Sequence, residues 1–205
     1  MRVIIFIVGL LIINFVNSQT INDTINYYNE ITKSTEFTKK QNNPQRWETD
    51  IKIYIDGVCD STAESELYKV VNELNDLIET IEIKIVNVKS DANLIAFFGF
   101  CSKYDKIEPK AIPYSGSNYG LFVVYVNNDI ITNGSFYVDV VRCEWLDESL
   151  IEETKKHLVR EELTQALGLY NDSTKYPNSI FYQEFSFTTE YTELDKGVIK
   201  MHYNR

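Results

Sequence analysis

Basic residues are in short supply: the 205-residue chain has 20 lysines and arginines against 30 aspartates and glutamates, a formal net charge of -10. Phosphate binding needs a basic surface, so nucleic acid is excluded as a partner. Glycine (8) and proline (4) are also sparse while aromatics reach 13%, which excludes a disordered or low-complexity chain. There is no G-x-S-x-G elbow and no phosphate-cradling glycine loop, which removes the common serine-nucleophile and nucleotide-binding schemes. The three cysteines, Cys59, Cys101 and Cys143, match neither a zinc ribbon nor a C-x-x-C redox spacing.

Long apolar runs are absent too, apart from one at the very start. Arg2 supplies a short basic head, and Val3 to Val16 form an uncharged apolar stretch. It is shorter than the roughly 18 to 20 residues of a membrane span and ends in the small residues read by a signal peptidase. Residues 1–18 are therefore expected to be a signal peptide, cleaved after Ser18, and the mature chain to be secreted, periplasmic or extracellular, with no membrane segment. In such a compartment three cysteines suggest one disulfide and an odd thiol, and Cys101 with Cys143 is the expected pair. Residues 19–45, rich in Asn, Thr, Gln and Lys, read as a poorly ordered lead-in to one domain over 46–205.

Within that domain the apolar period changes repeatedly. DIKIYIDG alternates Ile51, Ile53 and Ile55 against polar neighbours, a strand with one buried face, while Leu67, Val70, Val71, Leu74 and Ile78 follow helical spacing behind a cap at Ser61 or Thr62. IEIKIVNV, NLIAFFGF, YGLFVVYV and SFYVDVV are rich in β-branched and aromatic residues and read as strands. DESLIEETKKHLVREELTQALG opens on acids and closes on Gly168, the longest expected helix, and ELDKGVIKMHY is a short last one. The order is that of an α+β fold, a mixed twisted sheet packed on a long helix.

The long helix carries the candidate site. Glu161 and Gln165, four residues apart, share a face, with His157 one turn earlier, while Val159, Leu163, Ala166 and Leu167 form the core stripe. An acidic helix face is ordinarily solvated, and His157 and His202 are by default expected to face solvent. The stretch EELTQALGLYND, however, resembles the HExxHxxGxxH helix of zincin metallopeptidases. On that resemblance Glu161, Gln165 and Asn171 stand at the three ligand positions, Glu162 at the general-base position and Gly168 at the glycine. SIFYQ is similar to a Met-turn with Phe181 at the methionine, and YTELDKGVIKMHY resembles the closing helix of matrixin-like domains. More narrowly, EELTQALGLxND followed by SIF resembles an uncharacterised family common in bacteria.

The resemblance implies a zincin-like domain in which the metal ligands have been replaced. Asn and Gln carbonyls are weak donors to zinc, so no metal or other cofactor is expected. The expected function is a metal-free pseudopeptidase that binds peptide or protein in its cleft, with LFVVYV or SFYVDVV as the sheet edge on which a ligand strand adds. Glu161, Gln165, Asn171 and Asp172 are expected to form a polar network, with His157, Arg160 or Tyr182 nearby. The alternative is an atypical metal-dependent or Glu-based hydrolase with Glu162 as general base. The sequence does not specify the oligomeric state.

Overall fold

The computed structural model describes residues 21–33, 43–184 and 186–204; the expected leader, residues 1–18, lies outside them. Six strands form one sheet: β1 (Arg46–Trp47), β2 (Ile51–Gly57), β3 (Ile83–Val86), β4 (Leu94–Phe98), β5 (Gly120–Asn127) and β6 (Ile130–Val138). Its spatial order is β3, β2, β4, β6, β5, with β1 beside the start of β6. β5 runs antiparallel to β6, whereas the other pairings are parallel. The turn into β6 uses Asn128 and Asp129, both at positive φ, the backbone a tight two-residue hairpin demands.

The helices are α1 (21–32), α2 (Ser61–Leu77), the short α3 (Cys101–Tyr104), α4 (Ile112–Ser115) and α5 (Val140–Cys143), the long α6 (Glu148–Gln165) and α7 (Glu193–Tyr203). Among the described residues no helix is long and apolar enough to cross a membrane. Alternation along the strands sends Ile51, Ile53, Leu94, Ala96, Phe98, Phe136 and Val138 into one core with α2, α6 and α7. Each of these side chains larger than alanine contributes about 1.5–3 kcal/mol on burial, so this face holds the fold together. The intervening residues Phe97, Leu121 and Tyr137 build a small second cluster on the opposite face with Tyr104 and Ala111. The α+β architecture expected from the sequence, a mixed sheet on a long helix with a final helix at Glu193–Tyr203, is the one observed.

Four expectations need correction. Part of the supposed lead-in is ordered: α1 buries Tyr27, Tyr28 and Ile31, whose spacing makes one apolar helix face, while residues 34–42 lie outside the described chain. Asp60, not Ser61 or Thr62, caps α2, because its carboxylate both accepts from the Ala63 N–H at 2.9 Å and holds the Lys155 ammonium at 2.6 Å. The last expected strand stops at Val138, since the Asp139 carboxylate caps α5 by accepting from the Arg142 N–H at 2.9 Å. The Cys101–Cys143 disulfide is absent and all three thiols are free: Cys143 belongs to the main core, whereas Cys101 packs on the cluster across the sheet.

Gly168 illustrates how tightly the end of α6 is wrapped. It adopts φ +108°, and a Cβ there would lie 1.9 Å from the Gln45 carbonyl oxygen. Around it the Trp47 indole donates to the Ala166 carbonyl at 3.0 Å and the Tyr203 hydroxyl to the Leu167 carbonyl at 2.7 Å. These bonds satisfy carbonyls left over at the helix end and lock β1 and α7 onto it.

Candidate functional site

α6 presents three faces to three environments. Val159, Leu163, Ala166 and Leu167 are fully buried in the core, as their spacing predicts. On the second face Arg160, with no exposed surface, donates to Glu66 of α2 at 2.8 Å and to Glu73 at 2.5 Å, and its guanidinium lies 4.5 Å from the Tyr191 ring centroid. Arg160 is therefore committed to α2 and does not approach Glu161. The remaining face, with His157, Glu161, Glu162 and Gln165, lines a cleft of about 390 Å³.

The opposite wall of the cleft is β5 together with residues 117–119, and the rim is built from residues 182–184 and Ser186. Among the described residues β5 is an edge of the sheet, as β3 is at the far side, and β6, the other candidate edge, is internal. The Asp139 N–H donates to the Tyr119 carbonyl at 2.7 Å, continuing the register in which Gly120 faces Val138. Antiparallel strands exchange hydrogen bonds at alternate residues, so the odd-numbered residues of β5 bond to β6. Gly120, Phe122 and Val124 thus direct their N–H and C=O groups outward, where no described strand lies.

Inside the cleft the side chains are paired. His157 is almost fully buried; its Nε2 lies 3.3 Å from Glu161 Oε2 and its Nδ1 2.8 Å from the Thr188 carbonyl oxygen. Burial opposes protonation of this imidazole, but the Glu161 carboxylate and the Thr188 carbonyl outweigh it, and the His157 pKa is raised. Gln165 Nε2 donates to Asp172 Oδ1 at 2.6 Å, tying the last turn of α6 to the chain that follows. Glu162 reaches across to β5: a Cβ at Gly120 would stand 2.3 Å from its Oε1, so a side chain at that strand position would push the carboxylate aside.

Asn171 is turned away from this group. Its side-chain amide donates to the Glu30 and Ile31 carbonyls at 3.1 and 3.0 Å, and its backbone N–H to Ile31 at 3.1 Å, so it closes the C-terminal end of α1. The expected four-residue network is thus divided: Glu161 pairs with His157, Gln165 with Asp172, and Asn171 with α1. Phe181 is fully buried and Tyr182 lines the cleft, its hydroxyl donating to Glu184 at 3.2 Å. Neither histidine faces solvent, because each finds partners inside: His202 Nδ1 lies 3.2 Å from the Tyr28 hydroxyl and Nε2 3.1 Å from the Gln45 carbonyl. Sequence reasoning passed over Gly120, Thr188 and Glu184, which no local motif marks.

Zinc, which the family resemblance brings to mind, does not suit this donor set. The second ligand position is an amide engaged with Asp172, and the third points at α1. Among the described residues no group of three or more His, Cys, Asp or Glu is arranged to hold a metal ion.

Residues 22–205 match the family described as "Protein of unknown function (DUF2927)". The chain belongs to this family. Among curated protein sequences none matches the DUF2927 chain. Among solved structures it is similar to "Structure of Myroilysin", at 14% identity over 86% of this chain and 93% of that one, with a TM-score of 0.49. It is also similar to an archaemetzincin from Methanopyrus kandleri, at 11% identity over 76% and 97% of the two chains, with a TM-score of 0.47.

Proposed function

We propose that this DUF2927 chain is an exported, metal-independent peptide-binding protein on a zincin-type scaffold, taking an extended segment of peptide or protein as an added strand along β5. The observation that carries the reading is the cleft itself. A free strand edge with outward amides at Gly120, Phe122 and Val124 borders a cavity whose helical wall is closed by the pairs His157–Glu161 and Gln165–Asp172. Main-chain hydrogen bonds to an edge strand supply affinity without reference to sequence, which suits a ligand recognised by its extended shape. Export is supported by the apolar leader, with Arg2 before an uncharged Val3–Val16 run.

The retention of Glu162 at the general-base position, lining the same cleft, supports hydrolysis as the second reading. One experiment separates the two. The mature, untagged protein is equilibrated with zinc, manganese and calcium in turn, analysed for bound metal, and incubated with denatured casein and with a mixture of extended decapeptides. The binding reading expects no stoichiometric metal, intact substrates, and slowed amide exchange at residues 120, 122 and 124 when peptide is present. Substrate cleavage that disappears in Glu162→Gln overturns it in favour of the hydrolase, and unchanged exchange along β5 removes the strand-addition mode.

A further inference from the structure

The peptide-binding reading leaves open which peptides the cleft accepts, and the charges on its walls answer that. Four carboxylates line it, Glu161, Glu162, Asp172 and Glu184, and His157 is the sole cationic side chain among its lining residues. Paired with Glu161 through Nε2 and held by the Thr188 carbonyl at Nδ1, the histidine offsets that one carboxylate and leaves the other three in excess. Asp172 accepts from the neutral amide of Gln165, and Glu184 from the neutral hydroxyl of Tyr182. We propose that the cleft selects extended peptides bearing a lysine or arginine, whose cationic head enters among Glu162, Asp172 and Glu184 while its backbone pairs with β5.

Two features independent of the charge point to the same ligand. The outward N–H and C=O groups at Gly120, Phe122 and Val124 hold a main chain alongside the carboxylates, so a side chain leaving it needs only to span a wall of the cleft. The missing Cβ at Gly120 lets the Glu162 carboxylate lie against the face of that strand, putting negative charge beside its edge. The walls also carry Tyr119, Phe122 and Tyr182. Such rings pack on the methylene stem of a long basic side chain and attract its cationic head, and guanidinium is the better guest for both carboxylates and rings.

This inference rests on the peptide-binding reading, and the test distinguishes failure of one from failure of the other. Fluorescein-labelled alanine–serine decapeptides carrying a single central Arg, Lys, Leu or Glu are titrated by anisotropy against the mature protein. Arg and Lys peptides are expected to bind about tenfold more tightly than the Leu peptide, the fold-change of one charge-assisted hydrogen bond, with the Glu peptide weakest. Glu184→Gln, an exposed position whose change leaves the core untouched, should narrow the Arg-over-Leu ratio, whereas Glu152→Gln, outside the cleft, should not. Equal affinity for all four peptides overturns the charge selection and leaves strand addition standing. Equal effects of the two variants overturn it as well, by assigning the preference to the acidic surface at large. No binding by any peptide sinks both readings together.

Discussion

Changing Asn171 to Ala tests whether this residue is a relic of a ligand set or a helix stop. Its amide spans the carbonyls of Glu30 and Ile31, two side-chain hydrogen bonds at 3.1 and 3.0 Å in a largely buried setting. A net contribution of about 0.5–1.5 kcal/mol for each bond puts the loss at about 1–3 kcal/mol, since the carbonyls left behind lose a donor they cannot fully replace with water. In a domain of this size each kcal/mol lowers Tm by about 2–4 °C, so a fall of about 2–12 °C is expected. The loss should be local in character. Amides of residues 27–32 should exchange faster, because Asn171 joins α1 to the body of the protein alongside the Tyr27–Ser179 and Tyr28–His202 contacts. Asn171→Asp should cost at least as much, since it sets a carboxylate against two carbonyl oxygens. Thermal melts and hydrogen exchange on the three proteins decide the matter. If Asn171→Ala leaves Tm and α1 protection unchanged but alters ligand binding in the cleft, the assignment of Asn171 to α1 is refuted.

Other perturbations probe the remaining contacts. Glu66→Ala strips a buried guanidinium of one of its carboxylates and should destabilise by about 3–5 kcal/mol, whereas Glu190→Ala, which breaks an exposed pair with Lys69, should cost less than about 1 kcal/mol in the same denaturant titration. Because the folded-state pKa of His157 is raised, the stabilisation from its pairing with Glu161 is complete below the unfolded value of about 6.5 and is lost as pH rises through the folded value. Changing His157 to Gln should therefore cost more stability at pH 5.5 than at pH 8, and an equal cost at both would dismiss the ion pair. Gly168→Ala forces a Cβ against the Gln45 carbonyl at positive φ and should destabilise by at least about 2 kcal/mol, read as a shift in the unfolding midpoint without a change in slope.

The elements were legible where the chain itself sets the period. Ile51 and Ile53 alternate, Leu67, Val70, Val71 and Leu74 recur at helical spacing, and the sequence boundaries of the last helix match Glu193–Tyr203 residue for residue, because Thr192 and Asp195 form a capping box with both bonds made. α1 escaped notice because its few apolar residues, Tyr27, Tyr28 and Ile31, are worth little until the end of α6 and α7 supply a surface for them. The disulfide expectation failed for a related reason: the two cysteines sit on the short helices α3 and α5, and the packing of those helices, which no local pattern encodes, places Cys101 and Cys143 in different clusters.

By itself, then, the sequence determined the α+β class, the long helix and the identity of the residues that ride on its cleft face, since periodicity and capping act over a few neighbouring residues. Only the tertiary structure decided what those residues do. Contacts across the chain turn Asn171 to α1, give Arg160 to Glu66 and Glu73, hold His157 against the Thr188 carbonyl, and leave Glu162 against β5 at Gly120. Those partners lie tens of residues away in the chain, and no local pattern encodes a meeting that the packing of sheet, helices and turns brings about.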